Sequence, residues 1–375
     1  MKPESEEDLA ATIRGASGPL SIRGGGTRGV AALGEVLETG GLSGITLYDP
    51  GALTLVAQAG TPLADIEAAL ASEGQRLAFE PMDHRGLLDT DGAPTIGGVV
   101  AGNVSGPRRI QAGACRDFML GVRFVDGGGT VIKNGGRVMK NVTGYDLVKL
   151  MCGSWGTLGV LTEVSLKVLP RPESAACVMI DSLSESEAVT AMSKALTSPF
   201  EVTGAAHAPV GMDGHSVTML RLEGFAGSVA YRADKLKDLF SGHDTRLETD
   251  PDRVLAIWAW VRDVEMMQGT SGDVWRISVR PGDAPDLVAD MRKRHELTRV
   301  MYDWGGGLIW VEAPSGADLR PDTLNGHATL VRASEATRRS VPMFQPEAPA
   351  VAALTRGIRA RFDPKGILNP GIMAG

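Results

Sequence analysis

Aromatic residues are scarce in this chain, at 5%, and cysteine is scarcer still, with three in 375 residues. Cys115, Cys152 and Cys177 are odd in number and have no C-x-x-C spacing, which argues against a disulfide framework or a zinc knuckle and fits a reducing compartment. Three thiols also cannot hold an iron–sulfur cluster on their own, since such clusters normally take four. No run approaches the ~20 apolar residues of a membrane-spanning helix, and the opening MKPESEEDLAATIRG lacks the apolar core of a signal peptide. The expectation is a cytoplasmic protein with no direct membrane insertion, reaching the inner membrane only through partners. An excess of positive charge is missing too: the net charge of −7 disfavours nucleic-acid binding and leaves no polybasic patch.

What the chain has in quantity is glycine, 48 residues, together with 21 prolines, a composition of strands joined by turns rather than of a helix bundle. Its 43% hydrophobic content and its length suffice for two or three domains with proper cores. The glycines concentrate between Pro94 and Pro170, interleaved with β-branched residues. Asp126-Gly127-Gly128, between LGVRFV and TVIK, reads as a hairpin turn. Gly97-Gly98 and Gly106 sit in apolar sequence that needs no turn, which points to close backbone approach to a ligand. An earlier run, Arg23-Gly24-Gly25-Gly26-Thr27-Arg28, follows a short apolar segment. It reads either as a surface loop or as a concavity of free amides that binds an anion.

Taken together, RGGGTR at 23–28, TIGG at 95–98, SGPRR at 105–109, GGRVMKNVTGYDLVKL at 135–150, GSWGTLGVLTEVSLKVLPRP at 153–172, GHATL at 326–330 and FDPKGILNPG at 362–371 span nearly the whole chain. In that order they resemble the FAD-binding subunit of bacterial glycolate oxidase, within the vanillyl-alcohol-oxidase-type superfamily of FAD-linked oxidases. The resemblance implies an α+β protein with an FAD-binding domain (1–172), an α+β cap domain (173–335) and a C-terminal segment (336–375) that returns to the FAD domain. It implies an FAD-dependent oxidoreductase that oxidises glycolate or a related small 2-hydroxy acid to glyoxylate or its counterpart, beside a second flavin subunit and an iron–sulfur subunit. An independent flavin oxidase of another hydroxy acid or alcohol, and a non-catalytic assembly subunit, are the alternatives.

The local patterns fit such a plan. Glu4 to Arg14 reads as a helix with Leu9, Ala10 and Ile13 on one side; Ala52–Ala57 reads as a buried strand, and Thr61 as the cap of a helix with Pro62 at its first position. Residues 160–168 alternate apolar and polar as a half-buried strand. Pro170-Arg171-Pro172 marks a boundary. Beyond it Ser184 and Glu187 form a capping box, followed by alternating strands and helices expected to lay helices on one face of a sheet. A hairpin is expected over 299–312, a strand over 327–332, and a final helix carrying Leu354, Ile358 and Phe362.

From the resemblance, Gly24, Gly25, Gly26, Thr27, Thr95, Gly97 and Gly98 would line the pyrophosphate and ribityl chain of FAD, with Asn103, Ser105 and Gly106 beside them. Gly159, Val160 and Leu161 would meet the adenine end and Asn369 would cap the isoalloxazine. No histidine lies in the two glycine loops, and Cys115 reads as buried filler, so the FAD is expected to be non-covalent. The paired histidines of the catalytic 2-hydroxy-acid dehydrogenases are missing: His207 and His215 lack that context. His327 is the one catalytic candidate, with the structural reading of a strand histidine beside it. Arg276, His327 and Arg332 are left as holders of a carboxylate. The polar stretch Asp83, His84, Arg85, Asp89, Asp91 reads as a solvated loop without metal-ligand spacing. Arg116-Asp117 is either flavin-associated or a surface ion pair, and Lys140-Asn141 and Tyr145-Asp146 either hold cofactor or partner or simply pack.

Overall fold

The computed structural model describes residues 1–30, 32–137 and 144–373. Ser5 caps the helix Glu6–Gly15 by accepting from Asp8 N, and Leu9, Ala10 and Ile13 are its buried side. Strand β1 (Leu20–Arg23) then pairs in parallel with β2 (Glu35–Glu38). The next elements are β3 (Ile45–Asp49), β4 (Thr54–Gln58), the helix Leu63–Ser72, β5 (Gln75–Arg76), β6 (Met119–Val125), β7 (Val131–Gly135), β8 (Val160–Lys167) and β9 (Leu169–Pro170). β3, β4, β8, β6 and β7 form one antiparallel sheet in that order. The Asp126 carboxylate closes the β6–β7 turn by accepting from Gly128 N and Thr130 N.

Two local expectations are corrected. Thr61 does not cap its helix; its hydroxyl donates to Gln58 O at 2.7 Å, and Pro62 stands in the cap position. β8 is not half-buried. It lies between β4 and β6 with Thr162 and Ser165 buried, because other elements cover both faces of this central strand.

The second sheet has eight antiparallel strands: β10 (Ser174–Asp181), β11 (Gly204–Ala208), β12 (Val217–Gly224), β13 (Thr245–Glu248), β14 (Asp273–Val279), β15 (Arg299–Asp303), β16 (Leu308–Ala313) and β17 (Gly326–Arg332). Their spatial order is β13-β10-β12-β11-β15-β16-β14-β17. The period of two sorts its side chains cleanly. Val178, Ile180, Leu220, Leu222, Trp275 and Ile277 form one core with the helices Glu185–Leu196, Ala226–Leu239 and Ala284–Arg294. Met219, Val274, Met301 and Trp310 face the other way and share a core with Leu55 and Val164 of the first sheet and with Phe79, which follows β5. The capping box at Ser184 and Glu187 is present.

A buried charge network crosses that shared core. Arg221, on β12, donates to both carboxylate oxygens of Glu80 at 2.9 and 3.0 Å and lies over the Trp258 ring at 4.3 Å. Glu223, two residues on and on the same face, accepts from Arg76 at 2.7 Å and from Arg108 at 2.8 Å. After the final helix, Pro349–Phe362, the chain returns to its beginning: Leu20 N donates to Ile367 O at 2.7 Å and Asn369 N to Leu20 O at 3.0 Å.

Candidate functional site

The return of the C-terminus beside β1 closes a cavity of about 360 Å³ walled by residues 22–30, Gly97, Gly98, Trp155, Gly156, Gly159, Leu161 and Asn369, among others. Its shape depends on glycines. A Cβ on Gly25 would lie 1.6 Å from Ala93 O, so the loop 23–28 can rest on the 92–95 backbone only with glycine there. Gly97 begins the helix Ile96–Ala101 hard against β4: its N donates to Ala59 O at 2.8 Å, and a Cβ would come within 2.7 Å of Ala59.

Thr95 stands behind this wall rather than in it, its hydroxyl accepting from Gly98 N at 3.3 Å to cap that helix. Asn369 borders the cavity as a clasp. Its side chain accepts from Ile22 N and donates to Trp155 O, both at 2.7 Å, joining β1, the 153–159 loop and the C-terminus. Gly159 and Leu161 line the cavity, while Val160 between them points into the core around Leu9, Ile13 and Val125.

Asn103, Ser105 and Gly106 lie outside the lining set. The Asn103 side chain accepts from Arg116 N, the Ser105 hydroxyl accepts from Cys115 N, and Gly106 packs on the Glu80 backbone, where a Cβ would be 2.2 Å from Glu80 O. The close approach at Gly106 is therefore to protein, at the seam between the two sheets. Asp117 caps its own short helix through Ala114 N, and Asp146 caps the helix Leu147–Met151. Tyr145 is exposed, and Lys140-Asn141 falls outside the described residues. Cys115 is fully buried in the core and its thiol is pushed well up, first by that burial.

Sequence reading passed over the guanidinium of Arg28, although it belongs to the glycine motif. It lies at the cavity wall across Gly98, whose missing side chain makes room for Nη1. Its buried Nε has no partner among the described residues, and burial brings its pKa down to about 10. His84 is close by, its Nδ1 buried and unpartnered; burial first, then the Arg28 charge, brings its pKa to about 3, so the ring is neutral. Arg276 also depresses His84, and is itself lowered to about 10 by burial and by Arg109. His327 is lowered by burial, then Arg276, then Arg109.

None of Arg28, Arg109 and Arg276 makes an ion pair among the described residues; the carboxylates that act on them from a distance are Asp83 on Arg28, Asp117 on Arg109 and Asp303 on Arg276. The Asp303 carboxylate accepts from Trp304 N at 2.6 Å, and burial raises its pKa to about 7. Arg332, by contrast, is not free to hold a ligand. It donates to Glu312 at 3.0 Å and to the carbonyls of Met267, Gly272 and Leu87. His207 is fully buried, with Nδ1 2.9 Å from the Thr218 hydroxyl, and His215 sits in an outer turn. Asp83 pairs with Arg85, and no group of three His, Cys, Asp or Glu among the described residues is placed to hold a metal.

A glycine-lined cavity of this kind suits a large cofactor held mainly through backbone, and comparison with known proteins names it. Residues 1–135 match the family described as FAD binding domain. A solved alkyldihydroxyacetonephosphate synthase shares the fold at a TM-score of 0.70 and 16% identity, over 99% of this chain and 76% of that one. Fold and cavity define an FAD-dependent oxidoreductase of the FAD-linked oxidase class. More narrowly, the chain is 34% identical over 365 residues to glycolate oxidase subunit GlcE of Escherichia coli (strain K12), covering 95% of this chain and 92% of that protein. It belongs to that family of glycolate oxidase subunits. It is also 28% identical to the mitochondrial D-2-hydroxyglutarate dehydrogenase of Bos taurus, over 97% of this chain and 72% of that protein.

Proposed function

We propose that this chain is the FAD-carrying subunit of a complex that oxidises a small 2-hydroxy acid, glycolate or a close relative, and hands the electrons to a partner subunit. Residues 1–172 with the returning 336–375 would form the FAD-binding domain and 173–335 the cap. The observation that carries the reading is the cavity between the 23–28 loop and Gly97–Gly98, with a set of unpaired cations leading from its wall at Arg28 to the second sheet.

Bound FAD supplies a two-electron acceptor. The chain's own part is to hold it along the 23–28 loop, Gly97 and Gly98, to shield it behind Trp155 and Leu161, and to present Arg28 at the wall. No histidine or cysteine belongs to the lining, which supports non-covalent FAD. Burial first, then the Arg276 and Arg109 charges, lower the pKa of His327, which favours the neutral ring that can accept a hydroxyl proton.

Electrons leaving the flavin need an acceptor. Cys115, Cys152 and Cys177 are each buried in the core, which supports an acceptor on another chain, an iron–sulfur subunit beside a second flavin subunit. Among the described residues no helix is long and apolar enough to cross a membrane.

The test is co-purification on a tagged chain, followed by assays of complex and lone subunit with glycolate and an artificial acceptor. The expected result is a yellow protein that releases intact FAD on acid precipitation and turns over glycolate only in the complex. Equal turnover by the lone chain would replace the subunit reading with an independent oxidase.

A further inference from the structure

The second sheet meets the first at an indole held between two like charges. Arg109 Cζ lies 4.4 Å and Arg276 Cζ 5.0 Å from the centre of the Trp304 ring. Arg109 comes from the segment after SGP at 105–107, Arg276 from β14, so the pair spans the seam between the sheets. His327 follows on the neighbouring strand: β17 runs beside β14 with Thr329 opposite Arg276 and His327 opposite Ser278, on the same face.

Trp304 is fixed at both ends. Its Nε1 donates to Gly106 O at 3.0 Å, its backbone N donates to Asp303, and its φ of 53° is in the left-handed region, which is strained for a non-glycine residue. Neither Arg109 nor Arg276 makes an ion pair or side-chain hydrogen bond among the described residues; burial lowers the pKa of both, and the Arg109 charge lowers that of Arg276 further. Both remain partly open to solvent.

Two guanidiniums stacked on one strained indole, neither bonded directly to a carboxylate among the described residues and with Asp117 and Asp303 acting on them only from a distance, are an unfavourable arrangement in the free chain. Arginines elsewhere at this seam are treated differently: Arg108, the residue next to Arg109, is fully paired with Glu223 and Glu80. The contrast within one dipeptide separates a structural arginine from one left open for a ligand.

We infer that Arg109, Arg276 and Trp304 form a binding site for a small carboxylate, in which the planar anion takes paired hydrogen bonds from the guanidiniums and His327 lies beside it. Planar guanidinium and planar carboxylate match in a way that a lysine would not provide. Because one arm comes from the segment between β5 and β6 and the other from β14, the ligand would tie the two together. Identifying the carboxylate as that of the 2-hydroxy acid rests on the function proposed above; the site itself rests on this geometry.

The probe is oxalate, a two-carbon carboxylate with no hydrogen to give up, titrated calorimetrically into the FAD-loaded full chain at about 0.15 M salt, where loose surface attraction is screened. The expected result is saturable binding that Arg276→Gln and Arg109→Gln each weaken about 10–100-fold, the loss of charged hydrogen bonds. Arg276→Lys should fall between. FAD content should be unchanged, and the melting temperature unchanged or higher, since a repulsive pair has been relieved.

Unweakened oxalate binding in both variants, loss of FAD in step with it, or a fall in melting temperature would each overturn the site. The second outcome would assign the cations to the cofactor's phosphates, the third to the fold. Arginine-dependent oxalate binding by a protein whose assembled complex never reduces its flavin with any 2-hydroxy acid would keep the site and sink the proposed function. An unchanged glycolate KM in an Arg276→Gln complex would do the reverse.

Discussion

Glu223→Gln tests what holds the two sheets together. The Glu223 carboxylate is almost wholly buried and takes Arg76 at 2.7 Å and Arg108 at 2.8 Å, with Arg221 at 3.8 Å; Glu80, in the segment after β5, serves Arg108 and Arg221 as well. Burial alone would raise its pKa, but Arg221, Arg108 and Arg76 outweigh it and hold the group well below the carboxylate range. Three guanidiniums share two carboxylates, and the substitution leaves them one.

Removing one partner from a buried pair costs about 3–5 kcal/mol. Arg76 and Arg108 keep 20% and 15% of their side-chain surface, and the amide retains an acceptor, so the lower end, about 3 kcal/mol, is expected at pH 7. Because the folded pKa is depressed, this stability is fully present above the ordinary glutamate range and is lost progressively as the pH falls below that range towards the depressed folded value. The gap between wild type and variant in urea unfolding, followed by tryptophan fluorescence, should therefore narrow on acidification. A double variant with Arg108→Gln should lose less than the sum of the single losses. A loss below about 1 kcal/mol at pH 7, or a gap that does not depend on pH, would refute the reasoning.

The remaining predictions concern the cavity wall and the buried ionisable groups. Gly97→Ala should cost about 1–3 kcal/mol and lower the FAD-to-protein absorbance ratio, because its Cβ meets the Ala59 backbone, whereas Gly98→Ala meets side chains alone, chiefly the movable Nη1 of Arg28 and less closely the Thr95 hydroxyl, and should lose less of both stability and flavin; equal behaviour of the two would count against this account. Asp303, with its pKa raised to about 7, contributes stability that is full below the ordinary aspartate range and lost as the pH rises through 7. Asp303→Asn should thus gain on wild type by about 2–4 kcal/mol between pH 4 and 8, read from urea midpoints, and parallel profiles would discount the raised pKa. His327→Gln should keep FAD yet slow flavin reduction in the complex by about two to four orders of magnitude, an unchanged rate returning it to a structural role.

Much of the architecture was legible because local chemistry and tertiary packing agree in it. The Ser184–Glu187 box, the Asp126-Gly127-Gly128 turn and the apolar side of Glu6–Gly15 depend on neighbours a few residues away. Legibility failed where the environment decided. Ser165 looks like a solvent-side residue of an alternating strand, with Glu163 and Lys167, but β8 lies between β4 and β6 and Ser165 is buried. Thr61-Pro62 has the signature of a cap, yet the hydroxyl is drawn to Gln58 O and Gly44 O instead.

The site divides along a similar line, and glycine explains why. A glycine in apolar sequence reports that a Cβ has no room, but not what occupies the room. At Gly25 and Gly97 the neighbour is protein backbone on one side and the cavity on the other; at Gly106 it is the Glu80 carbonyl, away from the cavity lining. The residue that the glycine serves has to be found separately, and at Gly98 it is Arg28.

The cations are hidden for a further reason. Arg28, His84, Arg109, Arg276 and His327 come from five segments with no common spacing, so no motif gathers them, and Arg108 and Arg109 look identical in sequence although one is paired and the other open. What distinguishes them is the position of Glu223, more than a hundred residues later on β12, which reaches Arg108 alone. Whether an arginine belongs to the fold or to the ligand is thus decided by where the acids are, and only the assembled seam shows that.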